Sequence, residues 1–227
     1  MTIRNQNSTY FFSPHPDDET LACGGTIIQR LSQGYNVKII VMTDGSKSHS
    51  ANFKMFSNPS PKELADIRKQ ETKNAVSILG VNPENIFFLE AEDGNLINVQ
   101  ESMISNVKAL LANEIENISE IFLPHENDYH TDHIATNKIV LKAIKGLIIS
   151  PTLYFYQVYP SNEQSNNFDL GTKIQIDILD FLPLKVNAIN QYKSQIQLLS
   201  IKQDRPVISP TLLNKFVTTH TETFWHY

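Results

Sequence analysis

The stretch Ser13-Pro14-His15-Pro16-Asp17-Asp18-Glu19 places one imidazole and three carboxylates within five positions, directly after a short apolar run. Such groups are costly to desolvate, and packing alone gives no reason to gather them at the end of a strand. A divalent cation would stabilise the cluster. More than a hundred residues further on, His125-Glu126-Asn127-Asp128-Tyr129-His130-Thr131-Asp132-His133 holds three of the seven histidines. It follows the apolar Ile121-Phe122-Leu123. Each cluster therefore follows a strand and opens a helix. The carboxyl ends of parallel strands share one edge of an open α/β sheet, so two distant clusters can converge there.

Mixed histidine and carboxylate donors suit zinc or another first-row divalent ion, and the lack of clustered cysteines argues against a structural zinc–thiolate site. Two histidines and one carboxylate leave at least one position for water, whose pKa the ion lowers towards neutrality. The carboxylates outnumber the ligands needed. A spare one can serve as general base, and a spare imidazole can stabilise an oxyanion or protonate a departing amine. Hydrolysis of an amide or ester is thus covered without a nucleophilic side chain.

The elements that must position these groups alternate. Residues 9–13 predict a strand, residues 18–32 a helix with Gly34 past its end, and residues 37–42 a strand covered on both faces. Residues 44–58 read as a polar loop bordering the site. Ser60-Pro61-Lys62-Glu63 is a helix start with a capping box, and that helix should reach Leu79. A strand at 86–89, a helix at 99–118, a strand at 121–123, a helix at 132–145 and a strand at 153–158 follow. Beyond them come a strand at 173–178, a helix at 183–200 and a final segment without an assigned element. The fold class is α/β: a Rossmann-like, mostly parallel sheet with helices on both faces and a C-terminal elaboration. The 227 residues suit one domain, with a core over 1–160 and the elaboration over 161–227.

The bulk composition excludes other classes. A net charge of −5 with no basic stripe gives no footprint for nucleic acid. No run nears the roughly 20 apolar residues of a transmembrane span. The first seven residues lack the apolar core of a secretory signal. The single cysteine, Cys23, suits a reducing compartment and reads as a small packing residue. The expectation is a soluble cytoplasmic protein. Gly24-Gly25 lacks the dinucleotide fingerprint, and the carboxylates before it would repel a pyrophosphate.

With these residues in view, the sequence resembles the zinc-dependent de-N-acetylases of the PIG-L, or LmbE-like, family. His-Pro-Asp-Asp-Glu is matched at His15 to Glu19, followed by Thr20-Leu21 and Gly24-Gly25. His-x-Asp-His is matched by His130-Thr131-Asp132-His133, where many relatives have proline in place of Thr131. Thr43-Asp44-Gly45, the Arg68 and Glu71 pair and Asp93-Gly94 extend the likeness, which covers about the first 160 residues. The resemblance implies that His15, Asp18 and His133 bind Zn2+, with Fe2+ as an alternative ion. It makes Asp17 the general base and His130 the group serving the oxyanion or the leaving amine. It puts Asp132 behind a ligand histidine and offers Arg68 and Asp93 as substrate contacts. It further implies a small N-acetylglucosamine-type conjugate as substrate, release of acetate, and a homo-oligomer such as a trimer or hexamer.

Plainer roles stand beside these. Arg68 could pair with Glu71 at helical spacing. Asp93 could be a turn residue, and Glu19 could cap a helix or support the site from behind. His125 reads as loop or pocket wall, Asp128 and Tyr129 as border of the substrate site, Phe224 and Trp225 as packing. Two other functions also fit some of the residues. His15, Asp17 and His133 match the two-histidine, one-carboxylate triad of non-haem Fe(II) oxygenases, which sits on a double-sheet β barrel. A non-catalytic sugar-binding protein could keep the same fold.

Overall fold

The computed structural model describes residues 7–113, 115, 117–159 and 171–227. Residues 1–6, read as lacking the core of a secretory signal, and residues 161–170, the expected start of the elaboration, lie outside the described residues. Among the described residues seven strands form one sheet: β1 (Ser8–Ser13), β2 (Asn36–Thr43), β3 (Ile86–Ala91), β4 (Ile118–Pro124), β5 (Thr152–Tyr156), β6 (Thr172–Asp177) and β7 (Thr221–His226). Their spatial order is β3-β2-β1-β4-β5-β7-β6. The first five in that order are parallel, and β7 runs antiparallel to both β5 and β6. The chain order reverses between β1 and β4, which pair as Tyr10↔Ile121 and Phe11↔Phe122. A crevice opens at that switch, outside the carboxyl ends of the strands. An open sheet of this kind is not the double-sheet barrel that the oxygenase reading requires.

Strand residues alternate between two buried layers, as the two-residue period demands. Phe11, Ile39, Val41 and Phe122 face one layer; Tyr10, Phe12, Ile40, Met42, Ile121 and Leu123 face the other. The first layer is covered by α1 (Asp18–Ser32), α3 (Pro61–Ile78), α6 (Leu182–Ile189) and α8 (Pro210–Thr218) through Ile27, Val76, Ile189 and Phe216. The second is covered by α4 (Gln100–Ala112) and α5 (Thr131–Lys145) through Val107 and Ile139. Cys23 is fully buried in the first layer. The capping box at Ser60 and Glu63 forms as expected.

Four boundaries differ from the sequence expectation. The loop after β2 contains a short helix, α2 (Ser48–Phe53). The helix expected to reach residue 118 stops at Ala112, because Ile118 opens β4 opposite Ser8, whose N–H donates to Asn117 O at 2.7 Å. The helix expected over 183–200 breaks after α6, where Tyr192 turns into the core, and resumes as α7 (Lys193–Ile196). The terminal segment forms α8 and β7, the latter inserted between β5 and β6.

Candidate metal centre and active site

The two acidic and histidine-rich segments leave neighbouring strands, β1 and β4, and meet at the switch point. Asp18 Oδ2 lies 3.2 Å from His15 Nδ1 and 3.1 Å from His133 Nε2. His15 N–H also donates to Asp18 Oδ2 at 2.9 Å, which fixes the carboxylate. All three residues are buried. Among the described residues neither buried His133 nitrogen has a well-aligned hydrogen-bond partner, although Asp18 Oδ2 lies 3.1 Å from Nε2 and Asp128 Oδ2 lies 3.2 Å from Nδ1. A lone pair close to an acceptor but not aligned with it is what a shared cation would resolve. His130 closes the group: one nitrogen from each of His15, His130 and His133 lies within 4.8 Å of the others. The donor set therefore fits a divalent ion with nitrogen and oxygen ligands.

Carboxylates stand behind both imidazoles. His15 Nε2 is 3.3 Å from Asp93 Oδ1 and 3.3 Å from Asp132 Oδ2. His133 Nδ1 is 3.2 Å from Asp128 Oδ2, which also accepts the N–H groups of Val158 and Tyr159. Such partners set the tautomer and the ring orientation of a ligand histidine. Asp132 is held in turn by the N–H groups of Gly94 and Leu96 at 2.7 and 3.2 Å. Asp93 was expected as a turn residue or sugar contact, and its carboxylate faces His15 and the Lys47 N–H. Asp128 was expected at the substrate border; no local spacing signals its place behind His133.

Burial and charge oppose each other here. Burial disfavours the His133 imidazolium, but Asp18 and Asp128 outweigh it and raise its pKa to about 9. Burial likewise works against charge on His15, and Asp132, Asp18 and Asp93 raise its pKa well above the ordinary value. Burial would lift Asp18, yet His133 and His15 hold it far below the usual carboxylate range. Burial pushes Asp17 up to about 8 despite the opposing Arg68 guanidinium. His130 is lowered to about 4, by burial first and then by His15 and His133.

Asp17 and Arg68 line a cleft of about 470 Å3 together with His15, Asp18, Asp93 and His130. Its outer wall comes from Lys47, Ser48 and Asn52 around α2, from the exposed Tyr129, and from Tyr159, Gln195 and Val207. The 44–58 segment was expected to border the site, though as a loop rather than with α2 in it, whereas the Gln195 wall was not legible in the sequence. His125 is buried against Phe155 and Trp225 rather than exposed to the cleft, and Phe224 is a core residue.

The profile of PIG-L, GlcNAc-PI de-N-acetylase, matches residues 10–144, which span both clusters. The chain belongs to the PIG-L family. Membership makes it an enzyme of the N-deacetylase class. Among curated relatives of this PIG-L chain, a probable N-acetyl-alpha-D-glucosaminyl L-malate deacetylase from Bacillus anthracis is 23% identical over 194 residues, covering 85% of this chain and 83% of the relative. An N,N'-diacetylchitobiose deacetylase structure from Pyrococcus horikoshii superposes with a TM-score of 0.71 at 23% identity, covering 96% of this chain and 82% of the other. A 4-carboxy-2-hydroxymuconate hydratase from Pseudomonas putida KT2440 shares the fold at a TM-score of 0.67 and 18% identity, covering 84% of this chain and 80% of the other. One fold thus carries different chemistries, and the site must decide the reaction.

Proposed function

We propose that this protein is a zinc-dependent hydrolase that removes the acetyl group from an N-acetylglucosamine-type conjugate and releases acetate. The observation that carries the proposal is the convergence of His15 Nδ1, Asp18 Oδ2 and His133 Nε2, with carboxylates behind both rings. These three residues would hold the ion, for which ferrous iron is the alternative with the same donors. When bound, the ion supplies Lewis acidity, acidifying a water and polarising the acetyl carbonyl.

Asp17 takes the proton of the attacking water. Burial gives its carboxyl the high proton affinity of a group with pKa about 8, which a neighbouring dication lowers. His130 Nδ1 accepts the Asp132 N–H at 3.2 Å, so the neutral ring carries its proton on Nε2. With a pKa near 4, His130 is neutral near pH 7 and holds no second proton for the departing amine, but its neutral ring can donate to the oxyanion. Asp17 is then left to return the captured proton to the amine nitrogen. The relatives named as sugar deacetylases support the substrate class, as do the polar Lys47, Ser48, Asn52 and Gln195 around the cleft. The lone buried Cys23 is in keeping with a reducing, cytoplasmic setting.

The test is acetate release by the zinc-loaded protein from a panel that includes N,N'-diacetylchitobiose and N-acetylglucosaminyl malate, with mass detection of the free amine. Asp17→Asn should retain zinc and lower turnover by about 10² or more. Full activity in that variant would overturn the assignment of the base; no acetate from any panel member would overturn the function.

A further inference from the structure

Asp17 has an unusual backbone for the residue it is. It stands at the N-cap of α1 with φ 130° and ψ −29°, where a residue bearing Cβ is strained. An aspartate at this position ordinarily caps the helix with its own carboxylate. Here it makes no capping bond, and its Oδ2 lies 3.2 Å from Arg68 Nη2. Local preference therefore does not set this conformation; something outside must hold it.

The Asp17 N–H donates to Glu19 Oε2 at 3.3 Å. Glu19 is buried, and no step of the proposed reaction uses its carboxylate. That carboxylate is fixed on its other sides. Ser13 Oγ lies 2.8 Å from Oε2, Thr20 Oγ1 donates to Oε1 at 2.7 Å, and the Tyr192 hydroxyl also donates to Oε1 in a separate bond. Tyr192 lies in the turn between α6 and α7, beyond the residues matched by the family profile. The same turn is anchored again where the Ser194 N–H and Oγ donate to Glu71 at 2.8 and 2.6 Å. Glu71 is three residues along α3 from Arg68, on the same face of the helix, so the segment at 192–194 touches both elements that grip Asp17.

We propose that Glu19 and Tyr192 are positioning residues that hold the Asp17 backbone in its strained conformation and so aim its carboxylate into the cleft. This rests on the reading of Asp17 as general base. The direction of the Asp17 N–H depends on φ; without its acceptor, φ relaxes to a negative value and the side chain swings away. The Tyr192 hydroxyl keeps Oε1 occupied and Oε2 turned to Asp17. A role confined to tying the C-terminal segment to the sheet would lower stability and leave kcat of the folded, zinc-loaded enzyme unchanged.

The experiment measures kcat, KM, bound zinc and melting temperature for full-length Tyr192→Phe and Glu19→Gln. A drop in kcat of about tenfold or more is expected, with KM and zinc content as in the wild type, because misplacement by about 1 Å at a reacting group is costly. If kcat stays within about twofold in both variants, or falls only in proportion to lost zinc, the proposal is wrong. Should the wild type itself release no acetate, the functional reading fails separately. Crystal structures then decide the positioning: in Glu19→Ala the Asp17 φ should turn negative, and a retained value near 130° overturns it.

Discussion

Arg68 holds Asp17 by its backbone neighbour and its side chain together. Nη2 donates to Pro16 O at 2.6 Å and to Asp17 Oδ2 at 3.2 Å, while Nη1 donates to Gly45 O at 3.0 Å. The close approach depends on Gly45, where a Cβ would stand 2.5 Å from Nη1 and φ is +64°. Glu71, which the helical spacing offered as the partner of Arg68, gives its carboxylate to Ser194 instead.

Replacing the fork with a point charge should therefore act on turnover. Lysine cannot reach three acceptors in fixed geometry. Arg68→Lys is expected to lower kcat by about 10- to 100-fold while KM stays within about twofold. Arg68 also lowers the Asp17 pKa against burial, and the base works only when ionised. In Arg68→Gln the Asp17 pKa rises, so the acidic limb of kcat/KM moves to higher pH. A variant that raises KM alone, with an unmoved limb, would make Arg68 a substrate contact.

Metal binding should release a proton from His133. Burial notwithstanding, Asp18 and Asp128 raise its pKa to about 9 in the metal-free chain, whereas a ligand imidazole must be neutral. Below that value zinc displaces this proton and a second one from His15, whose carboxylate neighbours also raise its pKa, so apparent affinity should climb by more than tenfold per pH unit between about 6.5 and 8.5. Competition with a chelator across that range measures it, and a flat profile would exclude the exchange. Stability of the metal-free chain follows the opposite trend. A raised folded pKa contributes fully below the unfolded value of about 6.5 and is lost as pH rises through about 9.

Asp132 supports the site without touching the ion in this assignment. It faces His15 Nε2 at 3.3 Å while accepting from Gly94 and Leu96. Asp132→Asn should weaken zinc binding by about 10- to 100-fold, the scale for loss of a partner behind a ligand histidine. Unchanged zinc affinity in a folded variant would show that Asp93 alone orients His15.

The parts of the site legible in the sequence are those set by short-range chemistry. His15 to Glu19 and His130 to His133 announce themselves because their groups crowd a few positions, and Ser60 with Glu63 signals a helix start by spacing alone. Asp93 and Asp128 could not be assigned to His15 and His133 in the same way. The Asp93 contact depends on how the ends of β3 and β1 line up across the sheet, a property of register, and the Asp128 contact depends on how the turn between β4 and α5 folds back on the helix start. Tyr192 was hidden by a helical pattern that continues through it, since the break serves a hydroxyl contact to Glu19 nearly the whole chain away. Strand β7 escaped notice because its inward positions are Glu222 and Phe224, so the alternation is interrupted by a charge.

That charge leads to a stability prediction. Glu222 accepts from Lys185 Nζ at 2.7 Å, from the N–H groups of Gly25 and Thr26 at 2.8 Å each, and from Thr26 Oγ1 at 2.6 Å. Both ionic partners are buried. Glu222→Ala strands the Lys185 ammonium and should cost about 3–5 kcal/mol in urea unfolding. Glu222→Leu with Lys185→Met removes both charges and should recover most of that loss. Recovery stays incomplete, because the Gly25 and Thr26 N–H groups lose their acceptor, at about 1–3 kcal/mol for a buried unsatisfied donor. A loss below about 1 kcal/mol in Glu222→Ala would mean that water reaches Lys185 and that β7 is held by its ladder to β6 instead.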